Sequence, residues 1–209
     1  MSRFADWRLY LVTDRRLAGE HPLEDVVLAA VRGGVTAVQL REKQATTREY
    51  VSTARRLKAL LAPFGVPLII NDRVDVALAA GADGVHVGQS DMDYKDVRRI
   101  AGPDFLVGLS VENLQQAKAA EDLDADYLGV SPIFSTPTKT DTAEAWGLER
   151  LAALRARSRH VLVAIGGINS SNAREVIRAG ADGIAVVSAI CAAPDPEAAA
   201  RELRRLISA

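Results

Sequence analysis

The chain has 209 residues, of which 48% are hydrophobic and 25% are charged, and its formal net charge is −1. This composition is typical of a globular protein with a sizeable core, and the lack of any Lys and Arg run among aromatic residues argues against nucleic-acid binding. No apolar run approaches the roughly 20 residues that span a bilayer, the N-terminus lacks the apolar core of a signal peptide, and the single Cys191 excludes an internal disulfide, so a cytoplasmic protein with no membrane contact is expected.

Eight short apolar runs predict β-strands: Arg8–Asp14, Ala37–Arg41, Pro67–Asp72, Gly84–Gly88, Leu106–Ser110, Tyr127–Ser131, Val161–Ile165 and Gly183–Ser188. Segments with helical periodicity lie between many of them: Thr46–Leu61, Met92–Ile100, Leu114–Leu123, Leu148–Arg157, Asn172–Ala179 and Pro196–Ile207. Eight consecutive βα units without a long linker predict an α/β fold, a single-domain (β/α)8 TIM barrel over residues 1–209. The alternative, an open doubly wound sheet, would need a gap at a reversal of strand order, which the even spacing does not show.

A weak internal repeat precedes the even-numbered strands, and two of its copies read Ala-Gly-Ala-Asp-Gly. Gly81 and Gly180 are expected to take left-handed geometry at helix C-termini. Asp83 and Asp182 fall in the return turns at the N-terminal face of the barrel, where structural roles are the rule. We therefore expect these aspartates to stabilise the fold and not to take part in chemistry.

Active sites of such barrels lie at the C-terminal ends of the strands, and the second predicted strand ends in Gln39-Leu40-Arg41-Glu42-Lys43. Alternation along a strand places Gln39, Arg41 and Lys43 on the interior side. Two cations that face a cavity need an anionic partner, which a substrate could supply. The alternative pairs Arg41 with Glu42 or with a carboxylate of a neighbouring strand.

Two carboxylates follow the third and fourth strands, Asp72 directly after Asn71 and Asp91 at the end of Gly88-Gln-Ser-Asp. They could converge on one cation, and Mg²⁺ takes one or two protein carboxylates and completes its coordination with water and phosphate oxygens. The alternative makes each aspartate the N-cap of the helix that follows it.

Strands five, seven and eight also end in residues suited to phosphate. Ser110 could donate to a phosphate or cap the next helix. Gly166 and Gly167 allow close backbone approach after strand seven, and Val187-Ser188 closes strand eight. Loops after strands seven and eight bind phosphate through backbone N–H groups in many barrels of this type.

The loop Ser131–Asp141 carries several hydroxyls, a lysine and a carboxylate, and its prolines oppose helix formation. Thr136-Pro137-Thr138-Lys139 is the part best suited to phosphate, since hydroxyls and an ammonium donate charge-assisted hydrogen bonds. The alternative is a solvated connecting loop.

His86 lies within the fourth strand, where it could face the cavity or be a core residue with satisfied hydrogen bonds. Neither a Ser-His-Asp nor a Cys-His arrangement is indicated, which argues against covalent acyl transfer. The interpretation that remains is a polyphosphate site, in which Arg41, Lys43, Lys139 and a magnesium ion stabilise departing diphosphate.

These motifs, taken together and in order, resemble those of the thiamine phosphate synthase (thiamine-phosphate pyrophosphorylase) family over essentially the whole chain. The residues that carry the resemblance are Gln39–Lys43, Asn71-Asp72, Gly88–Asp91, Ser110, Thr136–Lys139, Gly166–Ile168 and Val187-Ser188. One departure is Ser90, where the family more often has an acidic residue, and it affects a secondary contact only.

The resemblance implies a magnesium-dependent transferase that joins hydroxymethylpyrimidine diphosphate to a thiazole phosphate. It implies that the pyrimidine diphosphate is held by Gln39, Leu40, Arg41, Glu42, Lys43, Asn71, Ser110 and Lys139. It places Mg²⁺ on Asp72 and Asp91, and the thiazole phosphate on Thr136, Pro137, Thr138, Gly167, Val187 and Ser188. Arg41, Lys43, Ser110 and Lys139 are the expected catalytic residues. In the family, diphosphate leaves first, and the thiazole nitrogen attacks the resulting methylene cation.

Two alternatives stay open at this point. The related thiazole tautomerase typically has a histidine near the end of strand six, where this chain has Val130-Ser131. A non-catalytic sensor of phosphate ligands on the same barrel would not need paired carboxylates. The sequence leaves open the oligomeric state, with a homo-oligomer among the options, and the preference between plain and carboxylated thiazole.

Overall fold

The computed structural model describes residues 5–135 and 144–208, which form a closed barrel of parallel strands in the order β1 to β8. The strands are β1 Leu9–Val12, β2 Ala37–Leu40, β3 Leu68–Asn71, β4 Gly84–Val87, β5 Leu106–Val111, β6 Tyr127–Val130, β7 Leu162–Ile165 and β8 Gly183–Val186. The predicted (β/α)8 barrel is therefore confirmed, whereas the extent of the domain over 1–209 stays a prediction. Most strands end earlier than predicted, so the polar residues assigned to strand ends mostly lie in the loops that follow.

Helices cover the outside of the barrel. They are α1 Leu23–Arg32, α2 Thr47–Leu61, α3 Val74–Ala80, α4 Tyr94–Ala101, α5 Leu114–Ala120, α6 Gly147–Arg155, α7 Ala173–Arg178, α8 Ser188–Cys191 and α9 Pro196–Ile207, with a 3-10 turn at Ala62–Phe64. The bounds of α9 are those predicted, because Asp195 caps its N-terminus and Pro196 occupies its first turn. Within the described ranges, no helix is long and apolar enough to cross a membrane.

The prediction of left-handed geometry at the repeat glycines is borne out for the backbone angles. Gly81 is the C-cap of α3 with a φ of 67°, and Gly180 has a φ of 104°. The C-cap of α7 is Ala179, so Gly180 lies one residue beyond the cap. Both glycines turn the chain from a helix into the next strand.

Aromatic side chains fill part of the barrel interior. Trp7, Tyr10 and Tyr127 are buried there, and the ring centroids of Trp7 and Tyr127 are 4.2 Å apart. A Cβ atom at Gly108 would lie 2.1 Å from the ring of Tyr127, so only glycine leaves the space that this ring occupies. The interior is thus a packed core with its polar groups towards the C-terminal end.

A recurrent hydrogen bond closes the N-terminal end of the barrel. Just before each of four even-numbered strands, a side-chain oxygen accepts from a backbone N–H at the start of the preceding odd-numbered strand. The pairs are Thr36 with Leu9 at 3.1 Å, Asp83 with Leu68 at 2.8 Å, Asp126 with Val107 at 2.8 Å and Asp182 with Leu162 at 2.8 Å. The three carboxylates also pair with cations of the helices that precede the odd-numbered strands. These are Lys58 of α2, Arg98 of α4 and Arg155 of α6. The structural roles predicted for Asp83 and Asp182 are confirmed.

We expect the substitution Asp126→Ala to lower the free energy of unfolding by about 2 kcal/mol, because it leaves the Val107 N–H unsatisfied and Arg98 without one of its partners. The side chain of Asp126 is only 8% exposed, so water cannot easily replace it. Urea denaturation measures the effect. Asp122→Ala, an exposed aspartate in the same turn, is the control and should change stability by less than about 0.5 kcal/mol. Equal effects of the two substitutions would contradict the assignment.

Candidate active site at the C-terminal ends of the strands

The segment after β2 is positioned by contacts with β1 and its loop. Gln39 is 5% exposed and faces the interior, where its Nε2 donates to Tyr10 Oη at 2.9 Å. Arg41 lies beyond the strand, and its Nη1 is 3.5 Å from Asp14 Oδ2. Glu42 accepts from Arg15 at 2.6 Å. The interior position of Gln39 is confirmed, and Arg41 pairs loosely with a carboxylate that follows a neighbouring strand, as the alternative interpretation held.

Two carboxylates face each other beyond β3 and β4. Lys43 Nζ donates to Asp72 Oδ2 at 2.9 Å, and Asp91 Oδ2 accepts from the Gly88 N–H at 2.7 Å. Burial raises the pKa of Asp91, the Gly88 N–H partly offsets this, and the charge and hydrogen bond of Asp72 raise the pKa further. The two side chains therefore repel each other when both are ionised, and Lys43 compensates only part of that charge.

Neither aspartate is a helix cap, so the capping alternative is wrong for both. The N-cap of α3 is Arg73, without a side-chain hydrogen bond. The N-cap of α4 is Asp93, which accepts from the Lys95 N–H at 2.9 Å. Asp72 instead has a φ of 62°, the sole positive φ at a non-glycine position among the described residues. This strained backbone turns its carboxylate towards Lys43 and Asp91, which is the kind of strain that functional sites retain.

The carboxylate pair fits a hard divalent cation. Oxygen donors are what Mg²⁺ prefers, and a cation would remove the repulsion that raises the pKa of Asp91. Within 5–135 and 144–208 no cluster of three or more His, Cys, Asp or Glu side chains could hold a metal. A cation bound here would therefore complete its coordination with water or substrate oxygens.

Ser110 belongs to a hydrogen-bonded group inside the barrel. Its Oγ lies 2.8 Å from His86 Nε2, and His86 Nδ1 lies 2.8 Å from Tyr127 Oη. The cap of α5 is Asn113, which accepts from the Gln116 N–H, so the capping alternative for Ser110 is wrong. Both ring nitrogens of His86 have hydrogen-bond partners, and one partner is a predicted site residue.

Sequence reasoning did not identify Tyr10 and Tyr127 as part of this group. Their hydroxyls lie 2.9 Å apart, and Tyr10 also accepts from Gln39. The alternation of side chains along β1 and β6 could have placed both rings inside the barrel, although not in contact. Asn71, the last residue of β3, is paired in register with His86 of β4, so it lies beside the same group.

The loop after β6 begins against the end of β7. The Phe134 N–H donates to Gly166 O at 3.0 Å. A Cβ atom at Gly167 would lie 2.8 Å from Phe134 Cβ, and the φ of Gly167 is 66°. Both the packing and the backbone angle thus require glycine here. The predicted site residues Thr136, Pro137, Thr138 and Lys139 follow directly and lie outside the described residues.

The predicted end of strand eight is corrected by the structure. β8 ends at Val186, Val187 is the N-cap of α8, and Ser188 is its first residue. Because β7 and β8 are neighbours, Gly167 and Ser188 follow adjacent strands.

Leu40, the last residue of β2 and a predicted site residue, is fully buried. Its side chain packs in the outer core between the strands and the helices.

The fold and these groups define a (β/α)8-barrel protein with cations, a carboxylate pair and a half-buried Ser-His contact at the C-terminal ends of its strands. The sequence model of a protein family described as thiamine monophosphate synthase matches residues 9–190. The chain belongs to this family.

Similar proteins cover nearly the whole chain. A thiamine-phosphate synthase of Albidiferax ferrireducens is 61% identical over 97% of this chain and 92% of its own. That of Chloroflexus aurantiacus is 54% identical over 100% and 96%. The solved structure of a thiamine phosphate pyrophosphorylase from Pyrococcus furiosus superposes with a TM-score of 0.90, with 42% identity over 98% of this chain and 96% of that one.

We expect Gly167→Ala to destabilise the protein by about 1–3 kcal/mol more than Gly65→Ala, because only the former meets Phe134. The two glycines have nearly the same φ, 66° and 65°, so the backbone strain of alanine is matched. Thermal unfolding and turnover are measured together, and turnover should fall for Gly167→Ala alone. Equal loss of stability in both variants would show that the contact with Phe134 is unimportant.

Proposed function

We propose that this enzyme joins hydroxymethylpyrimidine diphosphate to (carboxy)methylthiazolyl ethyl phosphate, with release of diphosphate and, from the carboxylated thiazole, of CO2. Family membership shows that the chain is a transferase that forms thiamine phosphate. The proposed substrates and the departure of diphosphate are supported by the group of Lys43, Asp72 and Asp91 at the ends of adjacent strands. A diphosphate leaving group needs this combination of a cation and metal-binding carboxylates.

The pyrimidine diphosphate is proposed to lie over the ends of β2 to β5. Arg41 and Lys43 face its phosphates in this proposal. The Lys43 side chain is exposed and pairs with Asp72. The Arg41 side chain is partly exposed and lies 3.5 Å from Asp14. Lys139 joins them in this proposal, although it lies outside the described residues. Gln39, Glu42, Asn71 and Ser110 complete the pocket for this substrate. Leu40 would contribute backbone atoms only, because its side chain is buried in the outer core. Charge-assisted hydrogen bonds from the cations stabilise the charge that develops on the departing diphosphate.

Asp72 and Asp91 are the residues proposed to hold Mg²⁺. When bound there, the ion would neutralise charge on the diphosphate oxygens and so act as a Lewis acid for the leaving group. Lys43 contacts Asp72 at 2.9 Å, so it keeps that carboxylate oriented towards the site.

The thiazole phosphate is proposed to bind where the loops after β6, β7 and β8 meet, through Thr136, Pro137, Thr138, Gly167, Val187 and Ser188. The loop base is held against β7 by the hydrogen bond from Phe134 to Gly166. Once diphosphate has left, the thiazole nitrogen can attack the methylene cation of the pyrimidine. This step depends on positioning and on exclusion of water, and it needs no strong protein base.

Small-molecule substrates, a cytoplasmic location and a homo-oligomeric state stay predictions from the sequence.

We expect the purified protein to form thiamine phosphate from the two substrates only when Mg²⁺ is present, and a chelator to stop the reaction. The product is followed by its fluorescent oxidation product. Isomerisation of the thiazole without condensation would instead indicate a tautomerase. Ligand bound and recovered unchanged would indicate a sensor, and either result would overturn the proposal.

We expect Asp91→Ala and Lys139→Ala to abolish turnover while the fold is retained. Lys139→Ala removes a cation that stabilises the leaving group, and Asp91→Ala removes a carboxylate that would hold the Mg²⁺ needed for the same purpose. Asp93→Ala is the matched control: it removes the cap of α4 two residues from Asp91, so it should cost about 1 kcal/mol of stability and leave turnover intact. Circular dichroism verifies the fold. Turnover near that of the unmodified chain in both site variants would contradict the site assignment.

A further inference from the structure

A continuous row of hydrogen bonds crosses the barrel interior from β2 to β5. It runs from Gln39 Nε2 to Tyr10 Oη at 2.9 Å, to Tyr127 Oη at 2.9 Å, to His86 Nδ1 at 2.8 Å, and from His86 Nε2 to Ser110 Oγ at 2.8 Å. Three of the five residues, Tyr10, Tyr127 and His86, have no role in the substrate pocket proposed above. The row ends at the hydroxyl that is proposed to contact the substrate.

The direction of the protons along this row follows from the donors available. The Gln39 amide nitrogen can only donate, so Tyr10 Oη accepts from it. If Tyr127 also donated to Tyr10, the buried Tyr10 O–H would have no acceptor among the described residues that it contacts, which is costly. Tyr10 therefore donates to Tyr127, and the Tyr127 O–H is left to donate to His86 Nδ1.

This direction determines the tautomer of His86. A neutral imidazole that accepts at Nδ1 carries its proton at Nε2. The Nε2–H then donates to Ser110 Oγ and occupies one of its lone pairs. Because Ser110 Oγ acts as the acceptor in this contact, its own O–H does not donate to His86 and can point towards the cavity.

The packing around the row keeps these groups in register. The His86 and Tyr127 rings are stacked with centroids 5.4 Å apart, and the Trp7 ring packs against Tyr127 with centroids 4.2 Å apart. Cβ atoms at Gly108 and Gly129 would lie 2.1 Å from Tyr127 and 2.9 Å from His86, so neither ring can move far. Burial raises the pKa of both tyrosines, so both keep the protons that the row requires.

We propose that Tyr127 and His86 are positioning residues that make the Ser110 hydroxyl a dedicated hydrogen-bond donor to an acceptor atom of the pyrimidine substrate. This inference rests on the proposed function for the identity of the substrate, but the tautomer of His86 is a property of the free protein. A pyrimidine nitrogen or a diphosphate oxygen supplies the acceptor, whereas a ligand that offers only donors at this point would be rejected.

The first test is the tautomer itself. The chain contains three histidines, so ¹⁵N-histidine labelling and long-range ¹H–¹⁵N correlation spectra resolve each ring, and His86→Asn assigns the signal of His86. We expect His86 to carry its proton at Nε2 in the unmodified protein, and Tyr127→Phe to populate the Nδ1–H form. A proton at Nδ1 in the unmodified protein, or a tautomer unchanged by Tyr127→Phe, would overturn the proposal.

The second test separates positioning from stability. Tyr127→Phe should lower kcat roughly ten- to a hundredfold, as expected when the group that orients a functional side chain is lost. Tyr10→Phe is the matched control, because it removes a buried hydroxyl of the same row but keeps the contact between Tyr127 and His86. It should reduce stability similarly and kcat much less. Equal losses of kcat would show that the row is merely structural.

The third test asks whether Tyr127 acts through Ser110. In a Ser110→Ala background, Tyr127→Phe should lower kcat by less than about twofold, since residues that act as a unit are not additive. A full additional loss would overturn the proposal. If the unmodified protein forms no thiamine phosphate, the proposed function fails, and the tautomer of His86 still decides whether the row has this direction.

Discussion

The interior of the barrel depends on contacts between rings and glycines of neighbouring strands. Tyr127 fits because Gly108 has no side chain, and His86 fits because Gly129 has none. Close packing leaves no space for a Cβ atom at either position, so the two rings are held in one arrangement. That arrangement brings the Tyr127 hydroxyl into contact with His86, and His86 into contact with Ser110, a residue of the candidate site.

Stability and chemistry are separated along the barrel axis. At the N-terminal end, the side chains of Thr36, Asp83, Asp126 and Asp182 bind backbone N–H groups, so their charges or hydroxyls are satisfied. At the C-terminal end, Asp72 and Asp91 face each other, and the pKa of Asp91 is raised by burial and by its neighbour. Carboxylates with satisfied partners stabilise a fold, whereas a mutually repelling pair, in which Asp72 also has a strained backbone, is suited to binding a cation.

The two sides of the candidate site are built differently. On the side of β2 to β5, charged and polar groups lie at the strand ends and contact one another. On the side of β6 to β8, glycine backbones allow the described part of the loop after β6 to approach β7. The first side suits a highly charged diphosphate, since fixed cations stabilise developing charge. The second suits a monophosphate bound by backbone N–H groups.

The sequence alone determined the barrel, the order of its motifs and the structural role of the repeat aspartates, because periodicity and short-range turn chemistry are local properties. It also placed Gln39 in the interior through strand alternation. Only the tertiary structure decided that Asp72, Asp91 and Ser110 are not helix caps, since Arg73, Asp93 and Asn113 compete for those positions. The contact between Tyr10 and Tyr127, 117 positions apart, likewise required the closed barrel. A hydrogen bond of this kind depends on strand register and on ring packing across the interior, which no local pattern records.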